Sequence, residues 1–268
     1  MDDMKLKIPF KKERKTVAVV RMAGAISAGP RGQLNDQTYG PILEKAFEKG
    51  KPSAVALVIN SPGGSPVQSS LIGARIRRLS QEKNVPVYAF VEDVAASGGY
   101  WIAAAADEIY IDETSIVGSI GVISAGFGAH EFISRYGIER RVYTSGTSKS
   151  TLDPFKPEKK QDIERLNSML TQIHTSFIAH VKARRGARLS EDERLFSGEF
   201  WAGQPAIDLG LADHIGHLEP VMKEQFGQNV KFRQYGAKKG WAQRLGGRIF
   251  EDAFQSFEER LTYARFGL

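Results

Sequence analysis

Two apolar runs each end in a Gly-Gly turn that opens into a helical pattern, and this doubled arrangement constrains the fold more than any other feature. Ser53 to Ile59 is the first run. It ends in Asn60-Ser61-Pro62-Gly63-Gly64-Ser65, and Val67 to Leu79 follows, with Leu71, Ile72, Ile76 and Leu79 apolar and Arg75, Arg77 and Arg78 between them. Val85 to Val91 is the second run. It leads through Asp93-Val94-Ala95-Ala96-Ser97-Gly98-Gly99-Tyr100-Trp101 into an apolar helix predicted over Ala95 to Ala106. Unbroken apolar strands fit a parallel sheet covered on both faces, and strand–helix alternation requires crossover connections. Thr16 to Met22, Glu108 to Ile111 and Arg140 to Thr144 read as further strands. Tyr39 to Lys49 and the long segment Pro157 to Gly186 carry apolar residues at helical spacing. The pattern predicts an α/β fold.

Ser97 stands among small residues at the predicted start of its helix. A serine nucleophile needs backbone N–H groups aimed at the oxyanion formed opposite it. Glycine permits that close approach, and a helix start offers unpaired N–H groups. The plainer reading is two Gly-rich turns feeding helices. A serine hydroxyl also needs a base. Of the five histidines, only His130 belongs to the stretch of chain around Ser97; His174 and His180 fall within the long helix, and His214 and His217 in a late turn. Lysine is the other option, because burial can make its amine neutral and able to accept a proton. Many lysines are present; Lys149 follows a predicted strand and precedes a Pro-bounded turn.

The 268 residues suffice for one large domain. The absence of cysteine excludes disulfides, thiolate metal sites and a cysteine nucleophile. The sequence gives no sign of a cofactor or metal site. Net charge is +6, with basic residues concentrated towards both ends. Such clusters suit solvated faces or an anionic membrane surface, and no nucleic-acid-binding motif accompanies them. No window reads as a signal peptide or a membrane span, so the expected location is cytoplasmic, with peripheral membrane contact as a variant.

Several segments together resemble the bacterial signal peptide peptidase A family of Ser/Lys peptidases. They are the Asn60–Ser65 turn, Ala95-Ala96-Ser97-Gly98-Gly99-Tyr100, Ser115 to Val122, Ser145-Gly146 to Lys149, Asp153-Pro154-Phe155, and the late elements Ser197 to Gly203 and Ala206 to Asp213. The resemblance implies a crotonase/Clp protease-like fold of repeated β-β-α units with a parallel sheet. It makes Ser97 the nucleophile and Lys149 the general base. Ser119 becomes the hydroxyl that orients the lysine amine, and Gly64 and Gly98 supply the oxyanion-hole N–H groups. It implies a homo-oligomer acting on short or unfolded apolar peptides, such as signal-peptide or membrane-protein remnants. Family members commonly carry an N-terminal membrane anchor or act beyond the membrane, and this sequence shows neither sign.

Three readings compete. A Clp-like Ser/His/Asp peptidase would use His130. A crotonase-type acyl-CoA enzyme would need no serine nucleophile. A membrane-associated scaffold would have kept the fold without the chemistry. The organisation expected is a basic arm over 1–15, a peptidase domain over 16–218 and a basic extension over 219–268. In that extension Trp241, Leu245, Ile249, Phe250, Phe254, Phe257 and Leu261 mark an amphipathic helix.

Overall fold

The computed structural model describes residues 14–29, 34–146, 148–236 and 263–268. The basic arm up to residue 13 and the whole predicted C-terminal helix, Trp241 to Leu261, lie outside the described residues. Strands β1 (Thr16–Ala23), β2 (Ala54–Ser61) and β3 (Val87–Ala96) form the centre of a mixed α/β fold. With β4 (Glu108–Ile111), β5 (Ile116–Gly118), β6 (Phe200–Ala202), β7 (His214–Ile215) and β8 (Lys231–Tyr235), they make one sheet. Its order is β6-β5-β3-β2-β1-β8, and β4 and β7 branch from β3. Every pairing is parallel except β5 with β6.

Alternation along each strand sorts side chains onto two faces. Ala18, Val20, Met22, Val55, Leu57 and Ile59 pack into the larger core, which also holds side chains of α1 (Asp36–Glu48), α2 (Pro66–Lys83) and α3 (Gly98–Ala104). Val17, Val19, Ala54, Ala56 and Val58 face the smaller core, which includes Met222 of the late helix Leu218–Phe226. The helices begin where local chemistry starts them. Asn35 caps α1 by accepting a bond from the Thr38 N–H at 2.8 Å. Ser65 caps α2, and Pro66 fills its first position, where no N–H is needed.

Three features depart from the sequence pattern. β3 runs on to Ala96, because Val94, Ala95 and Ala96 pair with Ile116, Val117 and Gly118. The following helix therefore starts at Gly98 rather than Ala95. Arg140 to Thr144 forms no strand, since no neighbour offers it a ladder. The sheet also does not stop at Leu218, where composition shifts: β8 lies parallel to β1, pairing Thr16 with Lys231 through Val20 with Tyr235. Among the described residues, no helix is long and apolar enough to cross a membrane.

Helix α5 (Lys160–Arg185) is bound to the core by ion pairs. Arg185, 2% exposed, meets both Asp213 oxygens at 2.8 and 2.9 Å and donates to the Gly210 carbonyl at 2.8 Å. Burial alone would raise the Asp213 carboxyl, but Arg185, the Ile109 N–H and Arg188 outweigh it and hold it below the usual carboxylate range. A depressed carboxyl stabilises the fold above its unfolded value, ~3.9, and that contribution is lost as pH falls through the lower folded value. Arg185→Ala leaves the Asp213 carboxylate with only Arg188 and the Ile109 N–H, and is expected to cost ~3 kcal/mol, about 10 °C in Tm. Arg185→Met together with Asp213→Leu should cost much less, and thermal unfolding at neutral pH compares the two.

Candidate active site

Ser97 is the single residue joining β3 to α3. Its backbone is left-handed in φ, at φ 51° and ψ −121°, a region that strains any residue with a Cβ. Bonds on both sides hold it there. The Ser97 N–H donates to the Gly118 carbonyl at 2.9 Å, and the Trp101 N–H donates to the Ser97 carbonyl at 3.0 Å.

The first Gly-Gly turn packs directly against this one. Gly63 has φ 100°, and a Cβ on it would stand 2.8 Å from the Ser97 Cβ, the Gly98 nitrogen and the Ala96 oxygen. Gly64, at φ 139°, has no room for a Cβ against the Ile26 carbonyl, and Gly98 has none against the Ser69 hydroxyl. The Gly64 nitrogen lies 3.4 Å from the point where a Gly98 Cβ would be. Ile26 brackets the turn: its N–H donates to the Gly63 carbonyl and its carbonyl accepts from the Ser65 N–H, each at 2.8 Å. No turn, loop or cap carbonyl among the described residues accepts a bond from the Gly64 or Gly98 N–H.

A cavity of about 610 Å³ opens here and brings together Gly64, Ser97, Gly98 and Ser119. Trp101, Val122, Ile123, Ile173 and Phe177 give it apolar walls, and Arg265 and Phe266 of the C-terminal segment also line it. Ser119 shares the left-handed φ, at 53°. Its N–H donates to the Glu199 carbonyl at 2.6 Å, and its carbonyl accepts from the Gly121 N–H at 2.9 Å.

α3 is fixed from behind. Trp101 stacks on Phe177 and His180 of α5, with ring centroids 4.9 and 4.8 Å apart. The absent side chain of Gly73 lets Trp101 settle against α2. The His180 Nε2 donates to the Trp101 carbonyl at 2.9 Å, and burial pushes this imidazole below the usual histidine range. The Tyr100 hydroxyl donates to the Leu211 carbonyl at 2.9 Å. Arg77 and Arg184 donate to carbonyls of Ala104, Ala105 and Ala106 at the far end.

Lys149 and His130 do not line the cavity. Lys149 is exposed, and its ammonium has no partner among the described residues. It belongs to an arm in which no described residue between Gly121 and Gln161 is buried. His130 starts the short helix α4 (His130–Arg135) in that arm. His174, set aside in the sequence as a helix residue, does line the cavity. Only the three- and four-residue spacing of Ile173, His174 and Phe177 could have signalled it.

The strained turn makes a stability prediction. Glycine ordinarily costs ~0.5–1 kcal/mol relative to alanine, but strain at such a φ is ~1–3 kcal/mol. Ser97→Gly is therefore expected to melt at or a few degrees above Ser97→Ala. A lower melting temperature for the glycine variant would show the turn to be unstrained.

A model of peptidase family S49 matches residues 79–230, more than half of the chain. A Brucella abortus protein named Na(+)/H(+) antiporter NhaA is 44% identical over 278 residues, covering 97% of this chain and 38% of that protein. Protease 4 of Haemophilus influenzae is 32% identical, with 83% of this chain and 37% of that protein covered. The chloroplastic serine protease SPPA of Arabidopsis thaliana is 31% identical, with 76% and 31% covered. The chain thus spans less than two fifths of each of these relatives. It belongs to peptidase family S49.

Proposed function

We propose that this peptidase cleaves short or unfolded apolar peptides through an acyl-enzyme on Ser97, with Lys149 as the general base. The observation that carries the reading is the convergence of Ser97, Ser119 and the two glycines Gly64 and Gly98 on one apolar-walled cavity. The Ser97 Oγ attacks the scissile carbonyl carbon and its proton passes to the Lys149 amine. The tetrahedral oxyanion is held by the Gly64 and Gly98 N–H groups. The C–N bond breaks as Lys149 returns the proton to the leaving amine. Water then attacks the ester, giving a proton to Lys149; the C–O bond to Ser97 breaks, Lys149 returns the proton to the Ser97 Oγ, and the acid product leaves. The Ser119 hydroxyl orients the amine. Apolar walls favour apolar side chains beside the cut, in keeping with signal-peptide or membrane-protein remnants.

Lys149 reaches Ser97, in this reading, from a neighbouring copy. Its arm leaves Phe127 95% and Tyr143 91% exposed, and Phe132, Tyr136 and Ile138 mostly so. Apolar surface of that kind marks an interaction face. The same arm carries the lysine, so docking it on a second copy would bury those rings and deliver the base in one step. The scaffold reading, which rests on the basic, amphipathic C-terminal end, gives no role to the strained serine.

A serine-reactive fluorophosphonate followed by intact-mass measurement tests the chemistry: wild type should gain one adduct, and Ser97→Ala none. Ser97→Ala, Lys149→Ala and Lys149→Arg should each abolish peptide hydrolysis, the last because arginine stays protonated. Co-expressing Ser97→Ala with Lys149→Ala should restore about a quarter of wild-type activity. That is the share of randomly paired interfaces that bring an intact serine to an intact lysine. Silent mixed assemblies would place both groups of the pair in one copy.

A further inference from the structure

We infer that His174 is a positioning residue for Ser119, an inference that rests on the reading of Ser119 as the hydroxyl that orients the base. The four-residue stretch Gly118 to Gly121 runs past Ser97 and contributes Ser119 and Gly121 to the cavity wall. Three of its backbone groups are tied to the body of the protein. The Gly118 carbonyl accepts from the Ser97 N–H at 2.9 Å, and the Ser119 N–H donates to the Glu199 carbonyl at 2.6 Å. The third tie is a side chain: the His174 Nε2 lies 3.0 Å from the Ile120 carbonyl. A carbonyl only accepts, so this nitrogen carries the proton.

The third tie is the one the loop cannot replace. Ile120 has no exposed surface, so its carbonyl has no water to turn to. Among the described residues, no other donor reaches it. Ser119 is held at a left-handed φ of 53°, and such a residue relaxes unless both flanking peptides are fixed. Glu199 fixes the peptide before it, and His174 fixes the Ile120–Gly121 peptide, whose N–H end donates to the Ser119 carbonyl at 2.9 Å and so holds the peptide after it. The imidazole is itself held in place by its helix. Three and six residues on, Phe177 and His180 grip Trp101 of the helix that Ser97 begins. Through α5, one element thus sets both the nucleophile's helix and the Ser119 loop.

Hydrolysis kinetics and thermal unfolding of His174→Ala, His174→Phe and His174→Gln decide the matter, with Ser97→Ala as the control for the underlying chemistry. Removing the donor should lower kcat about tenfold with KM little changed. Phenylalanine keeps the bulk without the donor and should behave like alanine, even where the alanine variant folds poorly. Glutamine carries an N–H at a similar reach and should recover most of the activity. In a Ser119→Ala background, the loss of His174 should cost little more. Unchanged kcat in both the alanine and phenylalanine variants would overturn the inference. So would fully multiplicative losses in the double variant. Equal inactivity of the glutamine variant would also overturn it, and would make the imidazole a proton acceptor instead. Activity retained by Ser97→Ala would instead sink the serine mechanism itself, and a multiplicative or absent His174 effect on the same assay would still tell the two failures apart.

Discussion

The close approach of two turns at Gly63 is the constraint on which this site depends. A Cβ there would press on Ser97, Gly98 and the Ala96 carbonyl together. With hydrogen alone at that position, the β2 turn lies against the β3 turn. The Gly64 nitrogen then comes beside Gly98, and both border the cavity of Ser97. An oxyanion site needs donors placed before the charge develops. In the proposed reading the donors are the Gly64 and Gly98 N–H groups, in two turns at the ends of adjacent parallel strands, and the sheet fixes their spacing.

Rigidity reaches that point through α3. The helix has seven residues, all buried, too few to be stable alone. Its stability comes from the packing of Trp101 against α5, from the Tyr100 hydroxyl, and from arginines at its far end. The Arg185–Asp213 pair then holds α5 to the β7 side of the sheet. Strain at Ser97 and Ser119 persists because these surroundings over-determine both residues.

The arm between Gly121 and Gln161 follows a different logic. It contributes nothing to the core, yet it holds large aromatic side chains in the open. A chain selected only to fold would bury or replace them. Their exposure beside Lys149 is the physical ground for reading the arm as a docking element. In the proposed reading it also accounts for Lys149 standing outside the cavity that Gly64, Ser97, Gly98 and Ser119 border.

Local pattern made much of this legible. The strands β1 to β4, the helices between them and the place of Ser97 follow from apolar periodicity and from glycine at turns, which act over a few residues. Four things were not legible. β8 is a polar strand, Lys231 to Tyr235, that becomes part of the sheet only by pairing with β1, more than two hundred residues away. β3 runs on to Ala96 because β5 offers it a partner. Arg140 to Thr144 has strand character and no partner. His174 belongs to the cavity because α5 crosses α3, a contact that its own helical periodicity does not specify. The amino-acid sequence by itself determined the α/β alternation, the two glycine turns and the serine between strand and helix, since those depend on backbone sterics and local burial. Tertiary structure alone decided which glycines meet, which carbonyl His174 holds and where Lys149 stands, because each depends on the packing of distant elements.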